Sequence, residues 1–398
     1  MDIIVQKFGG TSVSTKERRE MVIRKVREVL DLGEMPVVVV SAMGRKGEPY
    51  ATDSLLGLVG DKFKEENKMA TDMLMACGEI ISTVAMSNEF LEAGINAVPL
   101  TGGQAGILTD SNFKEAEPID IDPKHILEVL KSGRVPVVAG FQGINRDGFF
   151  TTLGRGGSDT TGAILGASLS AKEVQIFTDV DGMMTADPRI VCDAKLINKI
   201  SYNEIFELAE QGAKVIHPRA VEAAMRGNIP LIIKNTMSDC KGTRIDSIGD
   251  REANNIITGI THQTNRIQVE IDANQNKDNK DMYRDVLTIL ADEGISLDLI
   301  NIFPKQKIFT ICDEKKILFE DIMTKHNIKF ELIENLSKIA VVGTKMRGIP
   351  GVMAKIVATL DKKGIDVLQS ADSHMTIWCL VETAKVQEAI NSLHKVFL

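Results

Sequence analysis

The chain has 398 residues, 43% of them hydrophobic and 26% charged, with a formal net charge of −8. At about 100 to 200 residues per domain, this length predicts more than one domain and cores of useful size, and the acidic balance argues against a nucleic-acid partner, whose phosphates are held by clustered Lys and Arg. No apolar run near the 18 or so residues of a membrane helix is read from the sequence, nor the basic and apolar regions of a signal peptide, so a cytoplasmic protein with no membrane partner is expected.

In chain order, the first predicted strand is "DIIVQKF", which carries Lys7 into the pair Gly9 and Gly10. The usual phosphate loop puts its lysine after the glycines, so this stretch is either a different phosphate cradle or a tight turn after a strand. A helix follows over Lys16 to Leu30, with Val22, Val26, Val29 and Leu30 on one stripe. The strand "PVVVVSAM" ends at Ser41, and "YATDSLL" brings Thr52 and Asp53 to a helix start, where either could cap. Glu79 lies in the mostly apolar helical stretch "MLMACGEIIS" as an edge residue, a paired ion or a ligand contact.

The strands "NAVPLTG" and "RVPVVAGFQG" lead to a second glycine-rich loop, "TTLGRGGSDTTG", in which Gly154, Gly156 and Gly157 open a helix near Ser158. Free N–H groups at such a helix start favour an anion. Arg155 adds a fork suited to carboxylate or phosphate, and Asp159 a group that can orient a cation. "EVQIFTDV" then places Thr178 and Asp179 at a strand end, an Asp-Pro turn follows at Asp187 and Pro188, and "IPLIIKNT" completes the series. Near-continuous apolar strands alternating with helices predict an α/β fold, an open αβα sandwich covered on both faces, with ligands at the carboxyl ends of its strands.

Beyond the polar stretch "CKGTRIDSIGDREANN" the pattern changes to two similar units. The first reads as βαββαβ. The second lacks its sixth element, which the orphan strand at Ile256 to His262 would supply. The expected division is therefore 1–245, then 263–335 inserted into a unit made of 256–262 plus 336–398. The five cysteines lie far apart and the six histidines show no ligand spacing, so no residues are assigned to a metal, and His217 in "HPRA" reads as structural. No Gly-x-Ser-x-Gly elbow marks a serine hydrolase.

"KFGGTS", "VVSAMG", "YATDSLL", "CGE", "TGGQAG", "GRGGSDT", "TDVDGMMTADPR" and "QGAKVIHPRA", in this order, resemble the aspartokinases of the amino-acid kinase family. The "PGV" and "QSADSH" stretches resemble that family's paired ACT regulatory domains, which are ferredoxin-like βαββαβ folds. The resemblance implies transfer of a phosphoryl group from ATP, with Mg2+, to the side-chain carboxylate of L-aspartate, at the entry to lysine, diaminopimelate, threonine and methionine synthesis. It implies feedback by lysine, threonine or diaminopimelate at ACT interfaces of a homodimer or larger assembly, with "QSADSHMTIWCLV" tilting towards diaminopimelate or lysine.

By the same resemblance Lys7 and Asp159 are catalytic, Lys7 neutralising charge on the transferring group and Asp159 orienting Lys7 or the metal-bound phosphates. Ser41, Thr52, Glu79, Arg155, Gly156, Gly157 and Ser158 would hold aspartate, with Arg155 on its α-carboxylate and Glu79 on its ammonium. Lys7, Phe8, Gly9, Gly10, Thr178, Asp179, Met184, Asp187, Arg189, Lys214 and Val215 would face the nucleotide. Met184 departs from the tyrosine of many relatives, and "ANQNKDNKDMY" replaces the usual Pro-Gly turn of the first ACT unit. A different amino-acid kinase is disfavoured by "GRGGSDT" and the paired regulatory units. A sensor with an inactive kinase half would have lost Lys7, Arg155 or Asp159, and all three are present.

Overall fold

The computed structural model describes residues 2–250, 255–344, 346 and 349–398. The expected boundary stretch runs into residues 251–254, which lie outside the described residues. Two compact units are formed, one from residues 2–183, 196–209 and 214–250, the other from 184–195, 210–213 and 255–398. The segment 184–195, expected within the N-terminal half, thus belongs to the second unit.

In chain order the strands of the first unit are β1 (Ile3–Phe8), β2 (Met35–Val40), β3 (Ala97–Leu100), β4 (Ile107–Thr109), β5 (Pro118–Ile121), β6 (Val135–Ala139), β7 (Gln142–Ile144), β8 (Phe150–Thr152), β9 (Glu173–Thr178), β10 (Lys199–Ser201), β11 (Leu231–Asn235) and β12 (Thr243–Asp246). The main sheet has the order β10-β12-β11-β9-β1-β2-β6-β3. It is parallel from β11 through to β3, and only the β11–β12 pair is antiparallel. All six residues of β1 and all five of β6 are buried, as strands covered on both faces by helices must be. The six sequence-predicted strands are β1, β2, β3, β6, β9 and β11. The small sheet β5-β4-β7-β8 was not expected, since runs of three or four residues carry no readable period.

The 25-residue helix Lys68–Glu92 is apolar and long enough to cross a membrane, although the sequence reading found no such run. Its buried residues include Asp72, Glu79, Ser82 and Thr83 beside Met75, Met86 and Phe90, the mixed inner face of a core helix. Phe90 joins Phe8, Val38, Val40 and Phe177 in one buried cluster, where the Phe8 and Phe177 rings stack 4.6 Å apart.

The second unit holds β13 (Gly259–Asp272), β14 (Asp298–Phe303), β15 (Gln306–Cys312), β16 (Glu331–Val342), β17 (Gln369–Asp372) and β18 (Thr376–Glu382) in one sheet ordered β14-β15-β13-β16-β18-β17. The sequence divides β13 and β16 each into two strands, but both run continuously through the sheet. Gly259 to His262 pairs antiparallel with Ile339 to Val342, and Gln268 to Glu270 with Glu331 to Ile333. Between these stretches the register shifts, and Asn265 (φ 59°) and Asn335 (φ 57°) take the left-handed conformation that asparagine tolerates better than most residues. Each end of the sheet has its own core. Val269, Phe309 and Phe319 pack under the helices Lys280–Asp292 and Lys316–Lys325, while Ile339, Ile356, Cys379 and Leu393 pack under Val352–Asp361 and Val386–Phe397.

Phe309 is fully buried and meets Phe319 edge-on at 6.3 Å. Phe309→Ala should therefore destabilise the second unit by about 3–5 kcal/mol, read as an earlier denaturant transition in that unit with the first unit's transition unmoved.

Candidate active site

The candidate site of the first unit is built at the carboxyl ends of β1, β2 and β9. Alternation along β1 turns Phe8 into the core and Lys7 to the opposite face, against the helix Gly157–Ser168. A Cβ on Gly162 of that helix would sit 3.3 Å from Lys7 Cβ, so the glycine lets helix and strand approach. The Lys7 ammonium meets Asp159 Oδ1 at 2.5 Å, both side chains being largely buried. Asp159 stands in the first turn of the helix, where a carboxylate is favoured by the free N–H groups. The pair joins the two glycine-rich loops that the sequence singled out.

Glycines hold the other walls together. A Cβ on Gly10 would lie 2.3 Å from the Ala42 carbonyl, and one on Gly78 would lie 2.8 Å from Ala42 Cβ. The β1 loop, the β2 loop and the helix Lys68–Glu92 are thereby pressed against each other. Next to Gly78, Glu79 accepts a hydrogen bond from Ala42 N at 3.1 Å through Oε1. Its Oε2 is buried with no partner, and the residue is only 3% exposed. Burial pushes its pKa up to about 8, against the bond from Ala42 N. A buried carboxylate with one unsatisfied oxygen is suited to a cationic ligand group. Ser41 N donates to the Phe8 carbonyl at 3.1 Å, placing Ser41 beside the same loops, and Thr52 opens the short helix Thr52–Leu56.

The "GRGGSDT" loop is braced from three sides. Gly154 and Gly156 both have φ 72°, and a Cβ on Gly156 would strike the His217 ring at 2.2 Å. Arg219 donates to the Leu153 carbonyl and pairs with Glu117 at 2.7 Å. Asp72, fully buried, accepts from Lys114 N at 3.0 Å and from Thr152 N at 2.7 Å. Burial raises its pKa despite these bonds. Arg155, at the loop's tip, is exposed and makes no hydrogen bond or ion pair among the described residues, which leaves its guanidinium available to an anion. Ser158 lies under Gly140, where a Cβ would meet its Oγ at 3.0 Å.

Thr178 ends β9 and Asp179 follows it, with Asp179 pairing with Arg45 at 2.8 Å across an exposed gap. Gly9 is open towards the lysine, since a Cβ there would meet only Lys7 Nζ and the Phe177 carbonyl, each at 3.7 Å. Phe8, expected on the nucleotide side, is fully buried, and strand alternation puts its ring on the core face against Phe177. Lys214, exposed, and Val215 lie on the turn that leads to His217 and the helix Pro218–Gly227. Met184, Asp187 and Arg189 belong to the second unit, where Arg189 grips Asp187 at 2.6 Å and holds its carboxyl below the usual range. Asp72, Arg219 and Arg45 were missed because each acts on a partner far away in sequence; only "HPRA" had marked the neighbourhood of Arg219.

The arrangement fits a nucleotide, with two Cβ-free loops, a helix N-terminus and a lysine. No cluster of three or more His, Cys, Asp or Glu suited to a metal exists among the described residues. Magnesium is held in many such sites by one or two carboxylates and substrate phosphates; Asp159 stands in the first turn of the helix Gly157–Ser168 and Asp179 directly after β9.

Comparison with known proteins gives the same direction. A family model described as the amino acid kinase family matches residues 2–235, and an ACT domain model matches residues 331–395. The chain is similar to aspartokinase 1 of Bacillus subtilis (strain 168), at 44% identity over 402 aligned residues covering 100% of this chain and 99% of the relative. It is 36% identical to an aspartokinase of Geobacillus stearothermophilus, covering 100% and 97% of the two chains. Among solved structures it resembles an aspartate kinase of Clostridium acetobutylicum, with a TM-score of 0.80, 25% identity and coverage of 99% and 100%. The fold also matches E. coli aspartokinase III in complex with aspartate and ADP, with a TM-score of 0.78, 24% identity and 99% of each chain covered.

Because Glu79 keeps its proton in the folded protein from its ordinary value of 4.5 up to about 8, the free protein should lose stability as pH rises through that window. Thermal unfolding followed from pH 5 to 8.5 should show this decline flattened in Glu79→Gln, and an unchanged decline would clear Glu79 of the effect.

Proposed function

The chain belongs to the aspartokinases of the amino acid kinase family and is an aspartate kinase, and on that premise we propose that it makes 4-phospho-L-aspartate from L-aspartate and MgATP under control of an end-product amino acid. The unpaired, buried Glu79 Oε2 carries the substrate reading. An α-ammonium group would satisfy it, and the exposed Arg155 fork suits the α-carboxylate.

The other assignments follow from the chemistry of the nucleophile. An aspartate side chain has a reference pKa of about 3.9 and arrives ionised at neutral pH, so no general base is needed. The difficulty is bringing one anion onto another, and it is met by alignment and positive charge. MgATP supplies the activated phosphoryl group and part of the charge neutralisation. Lys7 adds a second cation whose place is set by Asp159, and Gly9, Gly10, Gly156 and Gly157 let substrate oxygens reach backbone N–H groups. Ser41, Thr52 and Ser158 serve aspartate. Phe8 through its backbone, with Thr178, Asp179, Met184, Asp187, Arg189, Lys214 and Val215, serves the nucleotide.

Regulation is assigned to the domains 263–335 and 256–262 plus 336–398, with 1–245 as the kinase. A cavity of about 450 Å³ in the second unit is lined by Met346, Ile349, Ser370, Asp372, His374 and Ile377 among others. Its mixture of apolar wall and Asp372 suits a free amino acid, and lysine, threonine or diaminopimelate is the effector class. The edge strand β14 exposes Ile300, Ile302 and Phe303, an apolar edge that a second copy would cover in a homodimer. Such an enzyme would work in the cytoplasm at the head of lysine, diaminopimelate, threonine and methionine synthesis.

The deciding experiment traps acyl phosphate with hydroxylamine in the presence of ATP and each candidate amino acid. Hydroxamate should form with aspartate, and formation with glutamate alone would overturn the substrate. Adding lysine, threonine, methionine or diaminopimelate should lower the yield with one of them. In the same assay Lys7→Ala should cut turnover roughly a hundredfold or more while the aspartate KM moves little; near-normal turnover would remove Lys7 from the mechanism. Since an ammonium requires Glu79 as carboxylate, the apparent aspartate KM should fall by about tenfold per pH unit as pH rises towards 8 and then level off. Glu79→Gln should abolish that slope and raise the KM throughout.

A further inference from the structure

This inference rests on the assignment of Asp187 and Arg189 to the nucleotide. In the second unit these residues sit on a loop whose base is closed twice by Thr185: its N–H donates to the Lys195 carbonyl at 2.9 Å, and its Oγ1 accepts from Lys195 N at 2.9 Å. Within the loop Ile190 N and Val191 N both donate to the Asp187 carbonyl at 2.9 Å. The backbone is thus fixed relative to Thr185, and whatever orients Thr185 orients the loop.

The C-terminal helix Val386–Phe397 does so. His394 Nε2 lies 2.8 Å from Thr185 Oγ1, and His394 is only 4% exposed. One turn earlier Asn391 Nδ2 donates to the Ile190 carbonyl at 2.9 Å, and Lys195 Nζ donates to the Leu398 carbonyl at 2.6 Å. The end of the chain therefore grips the loop on both sides of its base, at Thr185 and Lys195, and at Ile190 within it. Burial, with the Lys195 ammonium adding to it, lowers the His394 pKa, so the ring meets the hydroxyl as a neutral partner. Ala186 and Val191 of the loop also pack with Ile390 and Leu393 of the helix, in the core that includes Met346, Val352 and Ile377 of the cavity wall.

We infer that His394 and Asn391, on the last helix of the regulatory half, are positioning residues for the nucleotide: they hold the loop 186–194 in the conformation that presents Asp187 and Arg189. The kinase reaction then depends on side chains that a kinase fold alone would not contain.

Steady-state kinetics of the full-length enzyme, with ATP and aspartate varied separately, tests this. His394→Leu and Thr185→Val should each raise the ATP KM by about five- to tenfold, the loss expected for a buried hydrogen bond, with kcat and the aspartate KM within about twofold. His394→Gln and Thr185→Ser, which keep a hydrogen-bonding group, should recover most of the loss. Asn391 is exposed, so Asn391→Ala should fold in any case and raise the ATP KM by about threefold or more. Asp187→Ala separates the two ideas. If it raises the ATP KM while the His394, Thr185 and Asn391 variants lose only thermal stability, the nucleotide assignment stands and the positioning role is overturned. If Asp187→Ala leaves the ATP KM unchanged, the assignment fails and the positioning role falls with it.

Discussion

A lysine inside a strand buried on both faces is the constraint around which the kinase half is organised. An ammonium withdrawn from water without a partner costs several kcal/mol, and Lys7 is tolerated because Asp159 meets it at 2.5 Å. That contact requires the helix Gly157–Ser168 to lie close on β1, which Gly162 permits, and to begin at the level of the strand's end, which the left-handed Gly156 permits. The positions of Ser158, Arg155 and the free N–H groups of the helix start follow from it.

Glu79 is the opposite case, a buried acid left half satisfied. Its Oε1 is used by Ala42 N and its Oε2 by nothing among the described residues. A fully paired carboxylate would make a more stable free protein and a poorer receptor for a cation. The close approach that creates this site, with Gly10 and Gly78 both against Ala42, leaves no room for side chains. Asp72, on the same helix, shows the alternative: an equally buried acid whose oxygens are consumed by Lys114 and Thr152, and which therefore braces the chain and binds nothing further.

In the second unit two long strands, β13 and β16, run through both halves, so the halves are parts of a single sheet and not beads on a string. The bends at Asn265 and Asn335 let one pair of strands serve two cores. The loop 184–195 enters the second of these cores through Ala186 and Val191.

What the sequence determined by itself was whatever local pattern can carry. The continuous apolar runs specified β1, β2, β3, β6, β9 and β11, because strands covered on both faces need no polar alternation, and the glycine-rich stretches marked the two loops that the Lys7–Asp159 pair joins. The motifs in their order were enough to reveal the family. What only the tertiary structure decided was pairing across distance: that Lys7 meets Asp159, that Glu79 is half satisfied, that Phe8 turns into the core, that His217, Arg219 and Asp72 brace a loop none of them adjoins, and that the segment of Asp187 and Arg189 is held by the C-terminal helix. Ion pairs, buried hydrogen bonds and close backbone contacts are made between residues far apart in the chain. Nothing in the spacing of either partner records them until the sheet has brought the two together.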